Sequence, residues 1–402
     1  MWRHTLKGLY QHLLAALTAA GIALLAYLGL NSYLTHSLHP RATDGLDVRA
    51  GIYLPNMGDN WNEQSVNFVR MGQALADGTL VVMGSSELSR HGLRFVPYRF
   101  FPTELGVPTL AYGHAKLQSY GIFRVLQSLS ASFTPRTKLV IMLSPAWFAA
   151  EGELPSSAFA EHISGPVLDS LWSRPPARDG LIYWVRHHET WGILGLLAQA
   201  RLATLRDKLQ MWLTGRPIAS GAAYDPTPAA RAATRHAALP VPNALPQADW
   251  PRLLEEARAT GRLLSGANPY AVRNHYYRTH LSLVPDPTHQ EFARGDPLAA
   301  REFTDLSQLM EYLAHKQVRA FFIMQPLNSR LVLDTERFIP TVHSIMAMCR
   351  RYGMACLNMY PLRPVPGIFN DDMHLGELGW ALADQAIDEH FASDTPWKPS
   401  TP

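Results

Sequence analysis

TLVVMGSS, residues Thr79 to Ser86, is a short apolar run that stops at a glycine and two serines. A run of this length, rich in aliphatic residues and closed by a turn signal, predicts a buried strand. Four similar runs follow: PTLAYG from Pro108 to Gly113, KLVIMLSP from Lys138 to Pro145, VRAFFIMQP from Val318 to Pro326, and MACLNMYP from Met354 to Pro361. Helical patterns lie among them. LQSYGIFRVLQSLSA separates the second and third, FTDLSQLMEYLAHKQ and FIPTVHSIMAMCRRYG precede the fourth and fifth, and LGELGWALADQAIDEHF follows the last. Continuous apolar strands alternating with helices predict a parallel sheet covered on both faces. Ligands in such sheets bind outside the carboxyl ends of the strands.

Two of those ends carry chemistry-bearing residues. Gly84, Ser85 and Ser86 close the first strand, where the N–H groups of a strand-to-helix turn face any oxyanion formed beside a serine. A serine pair that simply caps a helix is the commoner occurrence. Asp371, Asp372, Met373 and His374 lie between the last strand and the last helix. A carboxylate three residues before a histidine on a turn can reach the imidazole and fix its tautomer. A solvated acidic loop is the plain alternative. The two sites together, in the order Ser, Asp, His and at one edge of one sheet, predict a catalytic triad of Ser86, Asp371 and His374, with Ser85 as the alternative nucleophile. Glu87 is expected to stabilise the N-terminus of the turn that follows.

Upstream, LLAALTAAGIALLAYLGL from Leu13 to Leu30 carries no charge, with Arg3 and Lys7 before it. Eighteen helical residues span about 27 Å, close to a hydrocarbon core. The positive-inside rule places the N-terminus in the cytoplasm and the rest outside. A cleaved signal peptide competes, but NSYLTHSLHP after Leu30 lacks a small-x-small cleavage site.

The stretch from Ala149 to about Ser307 interrupts the strand–helix alternation. It holds a Trp- and Arg-containing helical run, Leu181 to Gly215, with Trp184, Trp191, Trp212, Arg186 and Arg201. That run suits either a membrane surface or partner, or a core-packed helix. An Ala- and Pro-rich segment from Ala219 to Trp250 reads as a loose loop.

The chain has 402 residues, 47% hydrophobic and 17% charged, with a formal net charge of +3. That is a globular composition with no basic run of the kind that binds nucleic acid. Cys349 and Cys356 belong to no metal-ligand cluster, no P-loop is present, and no metal or cofactor is expected. The two cysteines can form one disulfide or serve as small buried hydrophobes.

These motifs resemble the SGNH (GDSL-type) hydrolases, which carry a serine block after the first strand and D-x-x-H before the last helix. The resemblance implies an SGNH-like, flavodoxin-like α/β fold with Ser86 as nucleophile. It also implies that Gly113, after the second predicted strand, gives an oxyanion N–H beside that of Ser86. No matching asparagine block follows KLVIMLSP. Within that superfamily the chain is similar to the DltD family, the D-alanyl transfer proteins of teichoic acid D-alanylation. The similarity rests on the N-terminal anchor, GSSEL (Gly84 to Leu88), LSPAWF (Leu143 to Phe148), NPYAVRNHYY (Asn268 to Tyr277), QPLN (Gln325 to Asn328) and DMHLGELGW (Asp372 to Trp380). Trp147 and Tyr276 in these blocks are candidates to wall a substrate pocket, and Gln325 and Asn328 to hydrogen-bond the substrate.

The expected organisation is an anchor over 1–34, an extracytoplasmic catalytic domain over 35–392 with an insertion at about 149–307, and a tail over 393–402. The expected activity is serine-dependent transfer of D-alanyl groups to a cell-envelope polymer. A multipass membrane-bound O-acyltransferase is the implied partner, delivering a carrier-derived D-alanyl group. The alternatives are a periplasmic esterase, deacetylase or O-acetyltransferase of the same superfamily, and a non-catalytic scaffold that recruits the acyl donor.

Overall fold

The computed structural model describes residues 2–42, 51–89, 92–149, 161–163, 165–172, 190–218, 241–288 and 301–392. Trp184, Arg186, most of the Ala219–Trp250 segment and the 393–402 tail fall outside these residues.

Six parallel strands form one sheet: β1 (Ile52–Leu54), β2 (Leu80–Met83), β3 (Thr109–Tyr112), β4 (Lys138–Leu143), β5 (Arg319–Met324) and β6 (Ala355–Asn358), in the order β1-β3-β2-β4-β5-β6. Five of them occupy the apolar runs. β1, the three residues IYL, is too short to stand out as a run. The helices are α1 (Trp2–Ser37), α2 (Trp61–Asp77), α3 (Pro97–Glu104), α4 (Ser119–Ser128), α5 (Pro166–Trp172), α6 (Thr190–Thr214), α7 (Trp250–Ser265), α8 (Asn274–Thr279), α9 (Arg301–His315), α10 (Ile339–Tyr352) and α11 (Glu377–Phe391).

Alternation along the strands separates two cores. Val81, Met83, Leu139, Ile141, Phe322 and Met324 meet α2, α4, α9 and α10 on one face. Leu80, Val82, Val140, Met142, Phe321 and Ile323 meet α3, α7 and α11 on the other. Both faces are therefore dry, which is why the strands read as unbroken apolar runs rather than alternating ones.

α7 belongs to the stretch expected to be an insertion. It lies inside the 149–307 stretch yet packs on α11, where the Trp250 indole donates to Asp388 Oδ2 at 2.6 Å. Its sequence is amphipathic, but it lies apart from any strand signal, so strand–helix alternation does not reveal it. Cys349, near the end of α10, is joined to Cys356 in β6 by a disulfide. α1 is apolar and long enough to cross a membrane, and its most apolar 18-residue stretch is unburied within the chain.

α11 also buries Asp384 completely, and neither of its carboxylate oxygens accepts a hydrogen bond from the described residues. Burial, with repulsion from Asp388 and Glu377, holds this carboxyl well above its ordinary range. Below about pH 3, Asp384 is protonated whether the chain is folded or not, and Asp384→Asn should be neutral. Above that, the unfolded chain releases a proton that the folded chain retains, so the parent loses stability as pH rises. The variant is therefore expected to melt about 2–4 °C higher than the parent at pH 8. Thermal scans at both pH values check this.

Candidate active site

Ser86 opens a short 3-10 turn, Ser86–Ser89, directly after β2. Two glycines shape the approach. Gly113, after β3, has φ +142, and a Cβ there would collide with the Gly84 carbonyl. Gly84 itself must lack a side chain because the carboxylate of Glu87 folds back into that space. The fold-back gives the Ser85 N–H an acceptor, Glu87 Oε1, at 2.6 Å. Glu87 is 3% exposed. Burial pushes its carboxyl up, opposed by the Ser85 N–H, its own N–H, the nearby His374 and a bond from Gln325. Glu87 thus forms the floor of the serine turn rather than simply complementing a helix dipole. Glu87→Ala would leave the buried Ser85 N–H without an acceptor and is expected to cost about 1–3 kcal/mol. Denaturant titration measures this, and Glu87→Gln, which keeps an acceptor, should recover most of the loss.

The second half of the site is the loop Asn370–His374. Its ends are pinned by an antiparallel bridge between Phe369 and Leu375 and by Asn370 N–H to His374 O at 2.8 Å. Inside it Asp371 gathers donors: His374 N–H at 2.8 Å, Met373 N–H at 3.1 Å and the Asn370 amide at 3.2 Å. The imidazole Nδ1 of His374 lies 2.8 and 2.9 Å from the two Asp371 oxygens. Its Nε2 lies 2.8 Å from Ser86 Oγ. A carboxylate only accepts, so Nδ1 carries the proton and Nε2 receives the hydroxyl hydrogen of Ser86. Asp371 and His374 are buried and Ser86 is half-buried.

β2 and β6 are not neighbours in the sheet. β4 and β5 lie between them, a separation of about 14 Å at normal strand spacing. The chain after β6 must therefore cross back over the sheet edge, and two segments hold it there. Asn328 donates its N–H to Asp372 O at 2.8 Å and its amide to Tyr270 O at 3.0 Å. Arg273 N–H reaches Asn370 O at 3.0 Å. Asn268 organises its own segment through its amide group, bonding Tyr270, Val272 and Asn274. The NPYAVRN and QPLN blocks are thus a scaffold for the Asp371 loop.

Several expected contacts lie elsewhere. The Gly113 N–H, expected to face an oxyanion, is bonded to Leu54 O at 3.0 Å in this arrangement. Among the described residues the Ser86 N–H has no hydrogen-bond partner. Ser85 turns its hydroxyl to His114 O at 3.1 Å, away from the imidazole. Trp147 is 6% exposed and belongs to the core with α9 and α10, not to an open wall. Asn328 is fully buried with its amide engaged by backbone, and Gln325 is 1% exposed and bonded to Glu87. Tyr276 stacks on His280 at 4.9 Å and packs with Val272, Leu281 and Leu331. Asn370 was not anticipated; an asparagine just before the acid pair is the only signal for it.

Asp371, Asp372 and His374 offer ligand atoms within 4.8 Å of one another. Both imidazole nitrogens are already engaged, so an ion there would break the Ser86–His374–Asp371 chain. As arranged, the group can remove a proton from Ser86 and hold the resulting imidazolium against a carboxylate, the requirements of serine acyl transfer. Comparison with known proteins gives one family match, to the model described as DltD protein, over residues 59–392. No curated protein matches the chain.

Proposed function

The chain belongs to the DltD family, and from that premise we propose that it is a membrane-anchored serine acyltransferase that esterifies a cell-envelope polymer with D-alanine. The family serves the D-alanylation of teichoic acid. The observation that supports the finer reading is the 2.8 Å contact between Ser86 Oγ and His374 Nε2, with Asp371 behind the ring. Ser86 Oγ attacks the carbonyl carbon of an activated D-alanyl group while His374 Nε2 takes its proton. The Ser86 N–H steadies the oxyanion. Collapse of the tetrahedral intermediate breaks the bond to the leaving group, which takes the proton from His374. A polymer hydroxyl then attacks the Ser86 ester and loses its proton to His374; the acyl–Oγ bond breaks, His374 returns the proton to Ser86 Oγ, and the polymer departs as the D-alanyl ester. If water enters in its place, the same site is an esterase.

We further propose that residues 1–34 are the anchor, with Arg3 and Lys7 on the cytoplasmic side, and that 35–392 is the extracytoplasmic catalytic domain. The Cys349–Cys356 disulfide supports an oxidising compartment. The donor is delivered across the membrane by a multipass O-acyltransferase. Alkali-labile D-alanine on the envelope should fall in a deletion strain and return with the wild-type gene. Unchanged ester content in the deletion strain would count against the transferase reading.

A further inference from the structure

α6 crosses α1 just past the end of its apolar run. Lys208 on α6 is buried, and its ammonium donates to Asn31 Oδ1 and Thr35 Oγ1, both at 2.8 Å. Trp212 meets Tyr33 edge-on with ring centroids 6.4 Å apart. Asn31 directly follows Leu30, so this crossing lies within about 8 Å of the apolar run's end, the depth of a headgroup layer. α6 is also tied to the sheet domain. Asp207 Oδ2 accepts the Trp61 N–H at the start of α2, and Lys208 sits over the Trp61 ring at 5.2 Å.

The outer side of α6 is left uncovered. Leu202, Leu209 and Leu213 follow an i, i+7, i+11 spacing and share one face. Leu202 is 61% exposed, Leu213 68% and the adjoining Trp212 47%. Most other large exposed hydrophobics on the described domain are scattered. Arg206 and Arg216 are exposed beside this patch. An apolar stripe with an aromatic pair and cations, continuous with a membrane-crossing helix, has the composition of an interfacial surface.

We propose that the face of α6 bearing Leu202, Leu209, Trp212 and Leu213 lies in the headgroup layer of the bilayer that α1 crosses. This rests on the anchor reading of α1. The anchor is then no loose tether: α6 clamps it to α2 and seats the catalytic domain on the lipid surface in one orientation. The lipid is anionic, matched by the exposed Arg216, whereas Arg206 is paired with Asp207.

The test uses the full chain with its disulfide intact, carrying Leu213→Cys labelled with an environment-sensitive maleimide dye. It is reconstituted in phosphatidylglycerol/phosphatidylcholine vesicles containing doxyl-labelled lipid. Leu263→Cys is the control, because Leu263 is 78% exposed on α7. Iodide in the buffer should quench position 213 at least about fivefold less than position 263, and the doxyl lipid should quench only 213. Equal iodide quenching at both positions in a chain that floats with the vesicles overturns the proposal. Protection at 213 without doxyl quenching means that a protein surface covers it, and also overturns it. A chain that does not float removes the anchor premise, and the proposal falls with it.

Discussion

Ser86→Ala is expected to lower D-alanyl transfer by at least about 10⁴-fold while leaving the fold intact. The loss is large because this oxygen is the only one that would become covalently bonded to the acyl group. Removing it leaves His374 with nothing to deprotonate. The fold should survive because Ser86 is half-buried and, among the described residues, its hydroxyl bonds the imidazole and not the turn that carries it. That turn is held from beneath by Glu87 through the Ser85 N–H. The neighbouring serine gives the contrast. Ser85→Ala removes a hydrogen bond to the His114 carbonyl and should cost about 1 kcal/mol of stability, with transfer reduced less than tenfold. Initial rates and denaturant titrations on the two variants separate a nucleophile from a turn residue. Equal losses of rate for both would show that the turn matters and the individual oxygen does not.

Asp371→Asn is expected to reduce the rate by about 10³–10⁴-fold, through the tautomer of His374 rather than by disrupting the loop. An asparagine oxygen can still accept the Met373 and His374 N–H groups that now reach Asp371 Oδ1. Its NH₂ would then stand where Oδ2 stands. There it faces a donor, the Asn370 amide, and donates to Nδ1 of the ring. The proton of a neutral imidazole moves to Nε2, which can no longer accept from Ser86. A full rate in Asp371→Asn would mean that the carboxylate serves the loop alone. A collapsed thermal midpoint would show that the carboxylate holds the loop, and the rate would then carry no information about catalysis.

Much of this architecture was legible because the sheet is buried on both faces. Both cores draw on every strand, so β2 to β6 appear as unbroken apolar runs and their ends can be located. β1 escaped because three residues make no run, and that omission had a consequence at Gly113. Whether a backbone N–H is free depends on the neighbouring strand, and Gly113 gives its hydrogen to Leu54 at the end of β1. The Asp371–His374 spacing is local and can be read directly. The means by which that loop returns across β4 and β5 to Ser86 is not local. It depends on Asn328 and on the Tyr270–Arg273 segment, far apart in sequence, whose polar groups look like substrate ligands until their partners are seen to be backbone. Trp147 shows a similar limit: near a strand end, an aromatic residue that packs inward looks in sequence like one that faces a pocket.

The central claim is that one oxygen at the turn after the second strand becomes the acyl carrier, and covalent trapping tests it most directly. The full chain is incubated with a fluorophosphonate, digested and mapped by mass spectrometry. The expected result is a single adduct on the Ser86 hydroxyl, absent from His374→Gln protein that retains the parent's thermal midpoint. An adduct on Ser85, or no adduct on protein that still transfers D-alanine, would contradict it.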